Sequence, residues 1–110
     1  MSAPLDAIYH QWGSSWVGRN RWLSHETGPP FAALYIYRDD LVLRTPFGRR
    51  NFPRKHIQEI RRYWRWPAAG LQIYHDVTDQ PAFVIFWPSD IDELEQVLDA
   101  NAFPVATLSV

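Results

Sequence analysis

The chain has 110 residues, with eleven Lys and Arg against twelve Asp and Glu, four His and a formal net charge of −1. That length points to a single domain, and the balanced charge points away from a uniformly basic nucleic-acid binder. Cysteine is absent, which excludes disulfides, thiolate nucleophiles and Cys-ligated zinc or iron–sulfur sites.

Leu, Ile, Val and Phe make up about a quarter of the chain, above the range of intrinsic disorder, and six Trp and five Tyr add large burial payloads. The opening "MSAPLDAIYHQW" has neither the basic lead nor the apolar centre of a secretory signal, and the longest apolar run, "AFVIFW" at 82–87, is too short to cross a bilayer. A soluble, cytoplasmic protein is the expectation, with peripheral membrane attachment left open.

In chain order, Leu5, Ile8, Tyr9 and Trp12 have helical spacing and predict a short helix within residues 1–15, ended by Gly13 and two serines. "WVGRNRWLSH" at 16–25 reads as a first strand with a bend or bulge at Gly18, and "ETGPP" as a loop. "ALYIYRDDLVLRT" reads as a hairpin turning at Asp39 and Asp40, with Leu34 and Ile36 opposite in face to Tyr35 and Tyr37. "PFG" at 46–48 is the next turn. "GLQIYHDV" and "PAFVIFW" are two further strands around "TDQ", the second with apolar residues on both faces. A helix at 90–101 closes the pattern. Asp90 and Glu93 have capping-box spacing, Ile91, Leu94, Val97 and Leu98 form its apolar stripe, and Asn101 is expected to end it in a left-handed conformation before Pro104.

Charge is unevenly spread. Residues 49–66, "RRNFPRKHIQEIRRYWRW", carry seven basic residues and one acid, a balance of +6, and the remainder carries four and eleven, a balance of −7. Five of those acids fall at 90–99 with no basic residue among them. Within 49–66, Ile57, Ile60 and Trp64 fit a helix, but the aromatic content favours a strand. The strand places Ile60, Arg62, Trp64 and Trp66 on one side and Arg61, Tyr63 and Arg65 on the other. Arg62 then sits among apolar neighbours, and a bulge is expected near it.

From about residue 33 to 103 the chain resembles the pleckstrin-homology-like (PH-like) domains, particularly their short bacterial and GRAM-like branch. The resemblance rests on the hairpin "LYIYRDDLVLRT", on "FP" followed by "HIQEI", and on "GLQIYH", "AFVIFW" and the helix "DIDELEQVLDANAF". It implies a mainly β fold: a bent, antiparallel, seven-stranded barrel capped by one C-terminal α-helix, whose Ile91, Leu94 and Leu98 plug the open end. The family's phosphoinositide binders carry Lys and Arg around their first hairpin loops, where this chain has Arg19, Arg21 and Arg38.

Catalytic motifs are missing: there is no Gly-x-Ser-x-Gly, phosphate-binding glycine loop or His-Glu-x-x-His. His75 with Asp76 and Asp79 is the one metal candidate, and the turn chemistry of "DVTDQP" accounts for it without a metal. The expectation is therefore a non-catalytic module without cofactor or metal, binding an acidic protein partner or a second copy of itself as a homodimer. Its candidate site is Arg49, Arg50, Arg54, Lys55, Arg61, Arg62, Trp64 and Trp66. Anionic lipid headgroups are the alternative partner for the same residues, and a small ligand inside the barrel a weaker one; nucleic acid is disfavoured. The plainest reading keeps the basic face solvated or paired with the acidic helix.

Overall fold

Seven strands precede one helix: β1 (Tyr9–Gly18), β2 (Ser24–Ile36), β3 (Asp40–Thr45), β4 (Gly48–Pro53), β5 (Ile57–Arg65), β6 (Ala68–His75), β7 (Phe83–Pro88) and α1 (Ile91–Ala100). This computed structural model describes residues 7–20, 24–65 and 67–106. The strands form one antiparallel sheet in the order β4-β3-β2-β1-β7-β6-β5. The protein is mainly β, a curled half-barrel with a C-terminal helix. Among the described residues no ladder joins β4 to β5; a single 3-10 turn, Arg54–His56, links them along the chain.

The expected opening helix is a strand over its described part. Tyr9, Gln11 and Gly13 face inward, and His10 and Trp12 face outward, in register with Ile36, Leu34, Ala32, Tyr35 and Ala33 of β2. The period of two is masked in the sequence because one inward position is Gln11, a polar residue that is nonetheless buried. Its amide is fully used. Oε1 accepts from the Asp90 N–H at 2.9 Å and from Ser89 Oγ at 3.3 Å, and Nε2 donates to the Asp90 carbonyl at 2.8 Å and to Tyr9 Oη at 2.6 Å.

The bulge also falls elsewhere than at Gly18, which pairs regularly with Ser24 and Phe83. Gly13 opposes Ala32 and Ser15 opposes Thr27, so residues 28–31 of β2 face Ser14 alone and leave the ladder. A Cβ on Gly13 would lie 2.0 Å from the Trp87 carbonyl oxygen, so only glycine lets β1 approach β7 at this bend. In β5 no register shift occurs at Arg62; the shift lies between Ile57 and Glu59. Arg62 needs no bulge because α1 supplies carboxylates on the inward side.

Inward residues of every strand meet in one core with Phe52, Phe86, Leu34, Leu71 and Ile73, and Leu94 and Leu98 of α1 close it from the open side. Full burial of each such side chain stabilises by roughly 1.5–3 kcal/mol. As expected for β7, Val84, Ile85 and Phe86 are buried on both faces. Outside, Trp16, Tyr63, Phe83 and Trp87 pack edge to face with centroids 5.3–6.2 Å apart. The edge of β5 is partly covered by residues 104–106: the Ile60 N–H donates to the Pro104 carbonyl at 2.9 Å, and the Ala106 N–H to the Ile60 carbonyl at 2.8 Å.

Asp90 caps α1 through Oδ1, which accepts from the Glu93 N–H at 3.1 Å. The return half of a capping box is absent: Gln11 takes the Asp90 N–H, and the Glu93 carboxylate accepts from Tyr9 Oη instead. At the other end Asn101 is not left-handed (φ −107°); Ala102 is, at φ 66°. The Ala102 N–H donates to Asp99 and the Phe103 N–H to Leu98, and Phe103 joins the core beside Leu98. This is a Schellman ending with alanine where glycine is usual. Asn101 contributes through its side chain, Nδ2 donating to the Val97 carbonyl at 2.8 Å.

Two consequences are measurable by urea unfolding. Ala102→Gly is expected to raise stability by about 0.5–1 kcal/mol, because it removes the Cβ strain of a left-handed residue. Burial, and then the hydrogen bond to Glu93, raise the Tyr9 pKa above the ordinary tyrosine value. The stability tied to its proton is complete below the unfolded value of about 10 and is lost as pH climbs through the folded value. Tyr9→Phe should therefore be less stable at neutral pH and lose less on alkaline titration than the unaltered chain.

Candidate partner-binding surface

The basic segment does not form one patch. β4 and β5 stand at the two ends of the sheet order, so its cations fall into separate groups. Most of those beyond β4 are already paired. Arg54 reaches Asp39 at 3.5 Å, Arg61 reaches Glu59 at 2.9 Å, and Arg65 reaches Glu26 at 3.3 Å while lying 4.9 Å from the Trp16 ring centroid. Such exposed pairs contribute little to stability.

Arg62 is the exception. Nε donates to both oxygens of Glu95 at 3.1 Å, and one terminal nitrogen donates to Glu95 and to Asp92 at 2.7 Å. The Arg62 and Glu95 side chains are only 15% and 18% exposed. The Glu95 hydrogen bond holds the guanidinium charged against its burial. Arg62 thus serves as a bolt between β5 and α1 and is not available to a partner. Trp64 is 60% exposed, with the Arg62 guanidinium 5.8 Å from its ring centroid. Trp66 lies outside the described residues.

Among the described residues, Arg49, Arg50 and Lys55 find no ion-pair partner, Arg50 making a 3.2 Å hydrogen bond to Gln80. Arg49 has a neighbour that the basic segment does not contain. β3 and β4 are joined by Pro46 and Phe47 alone, and this two-residue turn sets Arg44 directly opposite Arg49 on the outer face. No carboxylate of the described residues reaches either one. Like charges in cross-strand register are destabilising. Arg44 is steered by Tyr35, whose ring centroid lies 5.7 Å from the guanidinium carbon and which stacks on His10 at 5.1 Å. The row continues through Ala33 to Trp12, which is 51% exposed.

Phe47 tops this hairpin and is 81% exposed, more than any other large apolar side chain described. Its N–H donates to Thr45 Oγ1 at 3.1 Å, and Gly48 follows at φ 123°. Turn chemistry requires the proline and the glycine, but nothing in the packing requires an aromatic ring in solvent.

No protein-family model matches this sequence, and no characterised protein matches it either. The surface must be read from its own chemistry.

Elsewhere the titratable groups are tied into turns. The Val77 N–H donates to His75 Nδ1 at 3.0 Å, which leaves Nε2 as the donor to the Pro81 carbonyl at 2.7 Å. Both ring nitrogens of His75 are occupied in bracing residues 76–81. Asp76 instead faces His56 Nδ1 at 2.9 Å. Among the described residues, no three His, Asp or Glu side chains gather as metal ligands.

The basic run in the sequence includes Arg49 and Arg50 but not Arg44, Phe47 and Trp12, which the hairpin register and the β1–β2 pairing place along the same face. The available signal was the spacing: two turn residues at 46 and 47 force 44 and 49 into register. The Arg62 bolt is testable by itself. Arg62→Met is expected to cost about 1–3 kcal/mol, since it strands the half-buried Glu95, and adding Glu95→Met should restore most of the loss in urea unfolding.

Proposed function

We propose that this chain is a non-catalytic, PH-like interaction module, and that it holds an acidic protein segment against the β3–β4 hairpin. The observation that carries the reading is the register of Arg44 and Arg49: two cations that no carboxylate of the described residues reaches face each other beneath an exposed Phe47. A fold selected for stability alone gains nothing from that arrangement. A partner carboxylate relieves the repulsion, and Phe47 and Trp12 offer the rigid aromatic area that interface anchors typically use.

The PH-like assignment draws support from the curled sheet of seven antiparallel strands followed by one helix that closes it. The non-catalytic reading draws support from His56 and His75, whose ring nitrogens are engaged by Asp76 and by the turn at 76–81, and from Arg62, which holds Glu95 and Asp92. A ligand chamber inside the barrel finds no support, because Phe52, Phe86 and the aliphatic residues around them fill the interior. Arg50 and Lys55 extend the cationic surface. Arg54, Arg61 and Arg62 are assigned to intramolecular pairs instead.

One feature favours a second reading, attachment to an anionic membrane. An exposed aromatic tip with arginines behind it has the polarity order of an interfacial anchor. Two probes separate the readings. A fluorescent oligoglutamate peptide, followed by anisotropy at low salt, should bind the unaltered chain and lose roughly tenfold or more in affinity on Arg44→Glu/Arg49→Glu. Vesicles rich in phosphatidylserine, followed by co-sedimentation, should leave the chain in solution. Equal peptide binding by the double variant would contradict the proposal, and vesicle binding that requires Phe47 without peptide binding would transfer the site to membranes. Arg49→Thr should weaken the peptide while raising stability by roughly 0.2–1 kcal/mol in urea unfolding.

A further inference from the structure

The acidic partner has a counterpart on the molecule itself. Between α1 and the residues that flank β5 runs an open groove of about 480 Å³, lined by Arg62, Asp92, Glu95, Asp99, Val105 and Ala106 among others. Its one cation among the described residues, Arg62, is consumed by Glu95 and Asp92. Asp92 remains largely exposed and Asp99 is exposed beyond it, so the rim is acidic while Val105 and Ala106 provide apolar lining. The hairpin has the inverse pattern, an apolar Phe47 between the cations Arg44 and Arg49.

We infer that the groove beside α1 receives the β3–β4 hairpin of a second copy of this chain. Phe47 enters against Val105 and Ala106, and Arg44 and Arg49 meet Asp92 and Asp99. The inference rests on the hairpin being a docking surface and supplies its partner. Charge complementarity is the argument for a second copy. Residues 90–106 contain five acids and no Lys or Arg, whereas no carboxylate of the described residues reaches the hairpin arginines. Hairpin and groove are different surfaces, so the contact is head-to-tail: each bound copy leaves one of each free. Association then grows with concentration, as chains or as a ring, and weakens as salt screens the arginines.

Sedimentation velocity of the full chain tests this. At ~20 mM salt the sedimentation coefficient should rise with protein concentration, and at ~500 mM salt it should fall to the monomer value. Phe47→Ser, a change at a solvent-exposed tip, should weaken association roughly tenfold or more. Arg44→Glu/Arg49→Glu should be monomeric, as should Gln96→Lys/Asp99→Lys, two changes in the lining of the groove that leave the partners of Arg62 intact. Mixing those two charge-reversed variants should restore association, because each hairpin then meets a groove of opposite charge. A monomer at low salt that still binds the oligoglutamate peptide overturns self-association and leaves the docking surface standing. A monomer that binds no peptide removes both. Association that persists in both charge-reversed variants overturns the assigned contact.

Discussion

A sheet curled into half a barrel has an apolar concave face that must be covered, and the cover here is α1. Leu94 and Leu98 fill the open side over Phe52, Phe86 and Ile60. Hydrophobic burial is not directional, so it does not by itself set the helix's position. Two polar fixtures do. Gln11 on β1 binds the Asp90 backbone and the Ser89 hydroxyl, and Arg62 on β5 binds Glu95 and Asp92. They hold the first turns of α1 to strands on both sides of the opening, and the Schellman ending with Phe103 anchors the last turn.

Those fixtures also decide which charges are left for other uses. Arg62 is the least exposed of the ion-paired arginines and is spent on the fold. Its neighbours Arg61 and Arg65 have carboxylates of their own. Among the described residues, the cations left over include Arg44, Arg49 and Arg50 of the β3–β4 hairpin, at the far end of the sheet order from β5, and the carboxylates left over include Asp99 of α1. The near-zero net charge therefore conceals local concentrations of each sign along the chain. Such concentrations steer encounters and favour a partner of opposite charge.

Much of the fold was legible because most strands obey the alternation rule without interruption. Leu34 and Ile36 inward, Tyr35 and Tyr37 outward, and β7 buried on both faces could all be read from spacing, as could the apolar stripe of α1. β1 could not, because the inward Gln11 is accepted by hydrogen bonds to residues 79 positions away, which no local pattern reveals. The Arg62 bulge failed for the same reason: a buried arginine looks misplaced until distant carboxylates are seen. The proposed surface was legible in part. A run of basic residues drew attention to 49–66, but linear density does not show which cations are already neutralised. Arg44 and Phe47 lay just outside the run, and only strand register unites them with Arg49.

The account stands on the β3–β4 hairpin, rather than the continuous basic stretch, being the surface that meets an acidic partner. Amide and indole chemical shifts of isotope-labelled protein, titrated with oligoglutamate peptide at low salt, report this residue by residue. Shifts concentrated at residues 44–50 and the Trp12 indole, with 60–64 little moved, are the predicted result. Shifts centred on β5, on Arg61 and Trp64, or spread evenly over every basic residue, would contradict it.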